Sequence, residues 1–149
     1  RQLSAAKNVM NSIKDYIERG GYTLAECGGM MYLTSVLITG TDTRMEYNMA
    51  GVLPVKVSAF KGDMHLSLGY RSFELRGMKI RGHEFHYSQV IESDEELISA
   101  AQVYNAKGQP VNTPVYHYKN LIASYTHLYW GETGFMGLFE PAPGDPVLF

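Results

Sequence analysis

The chain has 149 residues, of which 45% are hydrophobic and 19% charged, with one Cys and a formal net charge of −2. This length suits a single domain that buries roughly 70% of its unfolded surface without covalent staples. The near-neutral charge argues against a nucleic-acid or polybasic membrane surface. One Cys excludes an internal disulfide, and no apolar run reaches about 18 residues, so the sequence predicts a soluble, cytoplasmic protein that binds neither nucleic acid nor membrane.

The spacing of Leu3, Ala6, Val9, Met10, Ile13, Tyr16 and Ile17 predicts a helix over Leu3–Arg19 with one apolar stripe. Gly20-Gly21 stops it. Tyr22–Ala25 reads as a short buried strand, and Met30–Leu37 as a buried helix. Helix, strand and helix in this order predict an α/β unit with a mostly parallel sheet. Residues 39–48 read as a polar loop. Gly51–Ser58 and Leu66–Leu75 read as strands, the second kinked at Gly69, and Gly77 turns the chain back toward Gly82. These short strands predict an antiparallel excursion grafted onto the α/β unit. Ala100–Ala106 and Val115–Tyr118 read as paired strands across Gly108-Gln109-Pro110, and Leu121–Tyr125 as a strand ending at Thr126-His127. From Gly131 onward, Gly and Pro predict an irregular tail.

Between the first strand and the second helix lies Ala25-Glu26-Cys27-Gly28-Gly29. Small-x-Cys-x-Gly is the spacing of a nucleophile elbow with Cys in place of Ser. Such a turn thrusts the side chain into a cleft at the carboxyl end of the strand, where sites form in open α/β sheets. A helix N-terminus behind the sulfur predicts a lowered thiol pKa. On spacing alone, a nucleophile and an inert buried Cys both remain open readings.

Farther along is Gly82-His83-Glu84-Phe85-His86-Tyr87-Ser88. Strand alternation places His83 and Phe85 on one face and Glu84 and His86 on the other. Two His with a Glu between them fall short of a zinc ligand set. His83, His86 and Tyr87 therefore read as cleft lining, and no metal site is expected.

Ala25-Glu26-Cys27-Gly28-Gly29-Met30-Met31-Tyr32-Leu33 resembles the nucleophile motif of the cobyrinate a,c-diamide synthase family, whose members carry a class I glutamine amidotransferase domain. Gly51-Val52-Leu53-Pro54, Leu68-Gly69-Tyr70, Arg81–Ser88 and Ala123–Leu128 resemble later blocks of that family in the same order. The resemblance runs from the first helix to about Tyr129. It implies a flavodoxin-like domain in which Cys27 attacks the side-chain amide of glutamine. His127 would then be the general base, and Gly28 and Gly29 would line the oxyanion site. On residues alone, a surface His at a strand end is the favoured reading of His127.

Many class I amidotransferases carry Glu two residues after the base, where this chain has Tyr129. Glu84 is then the expected partner of His127. The resemblance also implies that ATP and Mg²⁺ act in an N-terminal domain absent from this chain, which has no Gly-x-x-x-x-Gly-Lys loop. Residues 1–149 are therefore expected to be a partial amidotransferase domain, lacking its N-terminal strands and weakly active alone. An open sheet edge would invite homo-oligomers. The acceptor implied is a corrinoid. A relative amidating cobyric acid, a nickel tetrapyrrole or a cell-wall lipid, or a non-catalytic binding domain, is the alternative.

Overall fold

The structure is a computed structural model and describes residues 2–131 and 134–139. The irregular tail expected from the Gly- and Pro-rich end lies largely outside those residues.

The expected first helix divides into α1 (Gln2–Ala5) and α2 (Lys7–Glu18), because Ala6 leaves helical geometry at φ −82°, ψ 58°. Of its apolar stripe, Met10 and Ile17 are buried, whereas Leu3, Val9 and Tyr16 are more than half exposed. Gly20 ends α2 at φ 85°, a left-handed conformation that glycine adopts without a Cβ penalty. Its N–H donates to Ile17 O at 2.9 Å, and that of Gly21 to Tyr16 O at 2.9 Å.

β1 (Thr23–Glu26) leads through Cys27 into α3 (Gly28–Leu33). The helix expected over Met30–Leu37 ends at Leu33, and residues 34–40 form strand β2 (Thr34–Gly40). β-branched Thr34, Val36, Ile38 and Thr39 favour extended backbone, and pairing on both sides supplies the ladder that a helix would forgo. The expected loop over residues 39–48 is likewise the end of β2, a tight turn and β3 (Met45–Asn48), which pairs antiparallel with β2.

β4 (Leu53–Phe60) lies parallel to β2 and antiparallel to β7 (Gln89–Ser93), giving a four-stranded sheet in the order β3-β2-β4-β7. β5 (Ser67–Leu75) and β6 (Met78–His86) form a nine-residue antiparallel hairpin. Next come β8 (Val103–Asn105), β9 (Pro110–Val111), β10 (Val115–Tyr118), β11 (Leu121–Ser124) and β12 (His127–Leu128). The hairpin sits in a five-stranded sheet ordered β12-β6-β5-β8-β9, and β1-β11-β10 make a third sheet.

Two further results correct the sequence reading. The segment around β8 pairs with β5 and β9, and β10 pairs with β11, in place of the expected strand pair. A single backbone bond, Ala100 N–H to Val115 O at 2.7 Å, joins the two segments. Among the described residues, only β1–β11 and β2–β4 are parallel, so the architecture is mixed α/β and not mostly parallel. Short turns at Gly77, Gly108 and Lys119-Asn120 impose the antiparallel returns, since parallel crossovers need a dozen or more residues.

β11 organises the core. Leu121, Ala123 and the following Tyr125 face one cluster with Met10, Ile17, Met30, Leu53 and Val57. Ile122 faces a second cluster with Phe73, Ile80, Val103, Val115 and Leu128. The three-stranded sheet therefore has apolar packing on both faces, as the unbroken apolar run Leu121-Ile122-Ala123 requires. No described helix is long and apolar enough to cross a membrane.

Candidate active site

Cys27 adopts φ 47°, ψ −106°, between the last residue of β1 and the first of α3. Arg76 and Lys119, the other described non-glycine residues with positive φ, lie in tight turns. Backbone of this kind costs on the order of 1–3 kcal/mol and persists where the surroundings hold it. Here the Cys27 N–H donates to Ser124 O at 2.8 Å, continuing the β1–β11 ladder, and Cys27 O accepts from Met31 N–H at 3.0 Å, opening α3. The strand and the helix clamp the same residue from opposite sides, and Cys27 is left partly exposed.

The small residues around the sulfur serve two ends. A Cβ on Gly29 would rest 3.7 Å from the Ala25 Cβ, an ordinary contact. A Cβ on Gly28 would meet nothing within 4 Å. Gly28 thus borders open space next to the elbow.

Burial pushes the Cys27 thiol up, the Gly28 N–H opposes it, and the carboxylates of Glu84 and Glu26 push it up further. The net direction is upward, opposite to the expected lowering. The physical reason is that desolvation is the largest influence and two carboxylates add to it, while the Gly28 N–H at the helix start opposes them without prevailing. Cys27 therefore rests as a thiol, and attack requires a base to take its proton.

His127 opens β12 and pairs with His83 on β6. The two rings stack with centroids 5.5 Å apart and planes 26° apart. On its other side, His127 Nδ1 lies 3.9 Å from Glu26 Oε2, and Glu26 Oε1 accepts the Leu128 N–H at 2.8 Å. The residue before Cys27 thus touches the strand that carries His127.

Glu84 does not face His127. β6 alternates as expected, with Ile80, Gly82, Glu84 and His86 buried and His83 and Phe85 more open. The Glu84 side chain is 1% exposed and bonded to Arg71 Nε, to His86 Nε2, to Ser67 Oγ at 3.1 Å, and through both oxygens to Thr113 Oγ1 at 2.8 Å. The expectation that Glu84 orients His127 is therefore corrected: strand alternation turns Glu84 to the face opposite His83, where other donors take up both its oxygens. Burial alone would push its carboxyl up, but the bonds from His86, Thr113 and Arg71 outweigh that and bring it down to about 2.

His86 belongs to this interior as well, and does not line a cleft. It stacks on Tyr125 at 3.6 Å between centroids, and its Nδ1 lies 2.8 Å from Ser88 O. Ser88 Oγ in turn donates to Tyr125 Oη at 3.0 Å. Burial raises the Tyr125 phenol despite that bond, so it stays neutral. Tyr87 is half exposed and packs edge-on against Phe85.

A cleft of about 480 Å³ opens on the outer face of the five-stranded sheet, walled by Tyr70, Ser72, Lys79, Arg81, Asn105 and Tyr129. Gly82 borders it too, but Cys27 and His127 do not. The chemistry is better located by the strained Cys27 than by this cleft. Among the described residues, no group of three or more His, Cys, Asp or Glu side chains is placed to hold a metal ion.

Glu26 and Gly82 had escaped the reading of the sequence. Glu26 carried one signal, an acid ending an apolar strand, where a partner is needed. Gly82 is demanded by close approach: a Cβ there would lie 2.1 Å from His127 O and 2.7 Å from Thr126 Cγ2. Gly82→Ala is accordingly expected to push β12 off β6. The clash should destabilise the domain by about 1–3 kcal/mol, the scale of an overpacked contact. Urea unfolding checks this as a lower midpoint, and an unchanged midpoint would show that β12 tolerates the shift.

The family described as CobB/CobQ-like glutamine amidotransferase domain matches residues 1–135. A cobyrinate a,c-diamide synthase of Priestia megaterium is 38% identical over 140 residues, covering 88% of this chain and 29% of the relative. One from Thermoplasma volcanium is 33% identical over 87% of this chain and 29% of its own length, and one from Synechocystis 31% over 88% and 28%. The chain spans less than a third of the length of each of these relatives.

Proposed function

Since the chain belongs to the CobB/CobQ-like glutamine amidotransferase domain family, we propose that it is the glutamine-hydrolysing part of an ATP-driven amidoligase, with Cys27 as nucleophile and His127 as base. The observation that carries this reading is the elbow itself, a strained, partly exposed Cys between β1 and α3 whose neighbouring residue contacts the His127 strand.

The chemistry follows from a resting thiol. His127 takes the proton from Cys27 Sγ as the sulfur bonds to the carboxamide carbon of glutamine. The oxyanion that develops is placed to accept from the Gly28 N–H, beside which there is open space. Collapse breaks the C–N bond, and the proton returns from His127 to the leaving nitrogen, which departs as ammonia. Water then hydrolyses the thioester, giving glutamate and the free thiol. With Nδ1 turned toward Glu26, Nε2 is the ring nitrogen left for the proton transfers.

The relatives' printed name supports a corrinoid a,c-diamide synthase as the whole protein, with the ammonia delivered to carboxylates of a corrinoid acceptor. ATP and Mg²⁺ belong to that second half-reaction. The residues here do not fit them, having no Gly-x-x-x-x-Gly-Lys cradle, so the proposal assigns them to the remainder of the longer protein. A flavodoxin-like central sheet fits the parallel β1–β11 pair. β1 is an edge strand among the described residues, which leaves room for further strands from the same larger protein.

A glutamine analogue with an electrophilic carbon at the amide position tests the proposal. Mass spectrometry of the full-length protein is expected to place the label on Cys27, and unlabelled glutamine should protect it. Glutamine hydrolysis with no label at Cys27 would overturn the assignment.

A further inference from the structure

We infer that Glu26 is the positioning residue for His127, holding the base strand and its imidazole through the two oxygens of one carboxylate. The inference rests on the glutaminase reading above. β1 belongs to the three-stranded sheet and β12 to the five-stranded one, so the 2.8 Å bond from Leu128 N–H to Glu26 Oε1 ties two sheets together at the site. That bond fixes where Oε2 points, 3.9 Å from His127 Nδ1.

At 3.9 Å the two groups face each other without a hydrogen bond, which needs about 1 Å less. Contacts between catalytic groups are often long without substrate and tighten in the reacting complex. The His127 side chain is 43% exposed and that of Glu26 21%, so the ring has room to move toward a carboxylate that its bond to β12 holds in place. The other groups around the ring do not compete for this role. His83 covers one face by stacking, position 129 is Tyr, and Glu84 lies across β6 with Arg71, His86 and Thr113.

The electrostatics give Glu26 two consistent effects. Its negative charge opposes a thiolate on the neighbouring Cys27 in the resting state. The same charge stabilises the imidazolium formed when His127 takes the proton. A single side chain couples the elbow to its base because it is the residue immediately before the nucleophile.

Glu26→Gln and Glu26→Asp separate this role from a purely structural one. Gln keeps an oxygen to accept the Leu128 N–H but removes the charge. Asp keeps the charge but shortens the reach to β12. In the full-length protein, Glu26→Gln is expected to lower kcat for glutamate release roughly 10²-fold, with the KM for glutamine and the unfolding midpoint unchanged. Glu26→Asp should retain more kcat than Gln. Gln equal to or faster than Asp would overturn the inference, since a tie to β12 alone favours the side chain of native length. Cys27→Ala, run in parallel, keeps the two claims apart. If it still releases glutamate, the glutaminase reading fails and takes this inference with it. If it is inactive while Glu26→Gln turns over at the wild-type rate, only the inference fails.

Discussion

Cys27→Ala is expected to lower glutamine-dependent turnover of the full-length protein by roughly 10⁴-fold or more, the scale on which removal of a covalent nucleophile acts. Synthesis driven by free ammonia should survive, because that half-reaction needs no thiol. The size of the loss follows from the site. These 149 residues hold no second Cys, and the strained backbone at φ 47° leaves this one side chain partly exposed. His127→Ala should fall into the same class, since a Cys27 held as a thiol by burial and two carboxylates depends on proton removal. Parallel assays of glutamate release with glutamine, and of product formation with ammonium salts, make the comparison. Equal loss with both nitrogen sources would point to collapse of the fold and away from a role in glutamine hydrolysis.

Glu84→Ala is expected to destabilise the domain by about 3–5 kcal/mol, the cost of leaving a buried charge without its partner. Arg71 is 8% exposed and His86 likewise buried, so neither can recover hydration once the carboxylate is gone. Thr113 would lose its acceptor as well. Urea unfolding should show the change as a lower midpoint. The same carboxylate sets an acid limb. Its folded pKa of about 2 lies below its ordinary 4.5, so its contribution is fully present above about pH 4.5 and is lost as pH falls toward 2. The loss amounts to about 3 kcal/mol across that window. In Glu84→Gln that portion of the pH dependence should be absent. An acid limb of unchanged depth would assign it to other carboxylates.

Local chemistry was legible in the residues themselves. The elbow at Cys27 follows from a short apolar strand, a turn flanked by Ala25, Gly28 and Gly29, and helix-forming residues behind it. The two faces of β6 follow from alternation, which placed His83 and Phe85 apart from Glu84 and His86 before any partner was known. The stop at Gly20 follows from a glycine where a helix must turn left-handed. Each depends on neighbours within a few positions, and sequence order fixes those neighbours.

Tertiary structure decided what depends on residues far apart in the chain. The run Thr34-Ser35-Val36-Leu37-Ile38 fits either a buried helix or a strand, and it became β2 because β3 and β4 pair with it on both sides. Alternation assigned Glu84 to a face but could not say that Arg71 and Thr113 would meet it there, nor that Glu26 would meet β12 from another sheet. The direction of the Cys27 shift was decided the same way. A short helix acts on the sulfur from within the motif. Burial and the charge of Glu84, carried on β6 of another sheet, depend on tertiary packing, and with Glu26 they outweigh the Gly28 N–H.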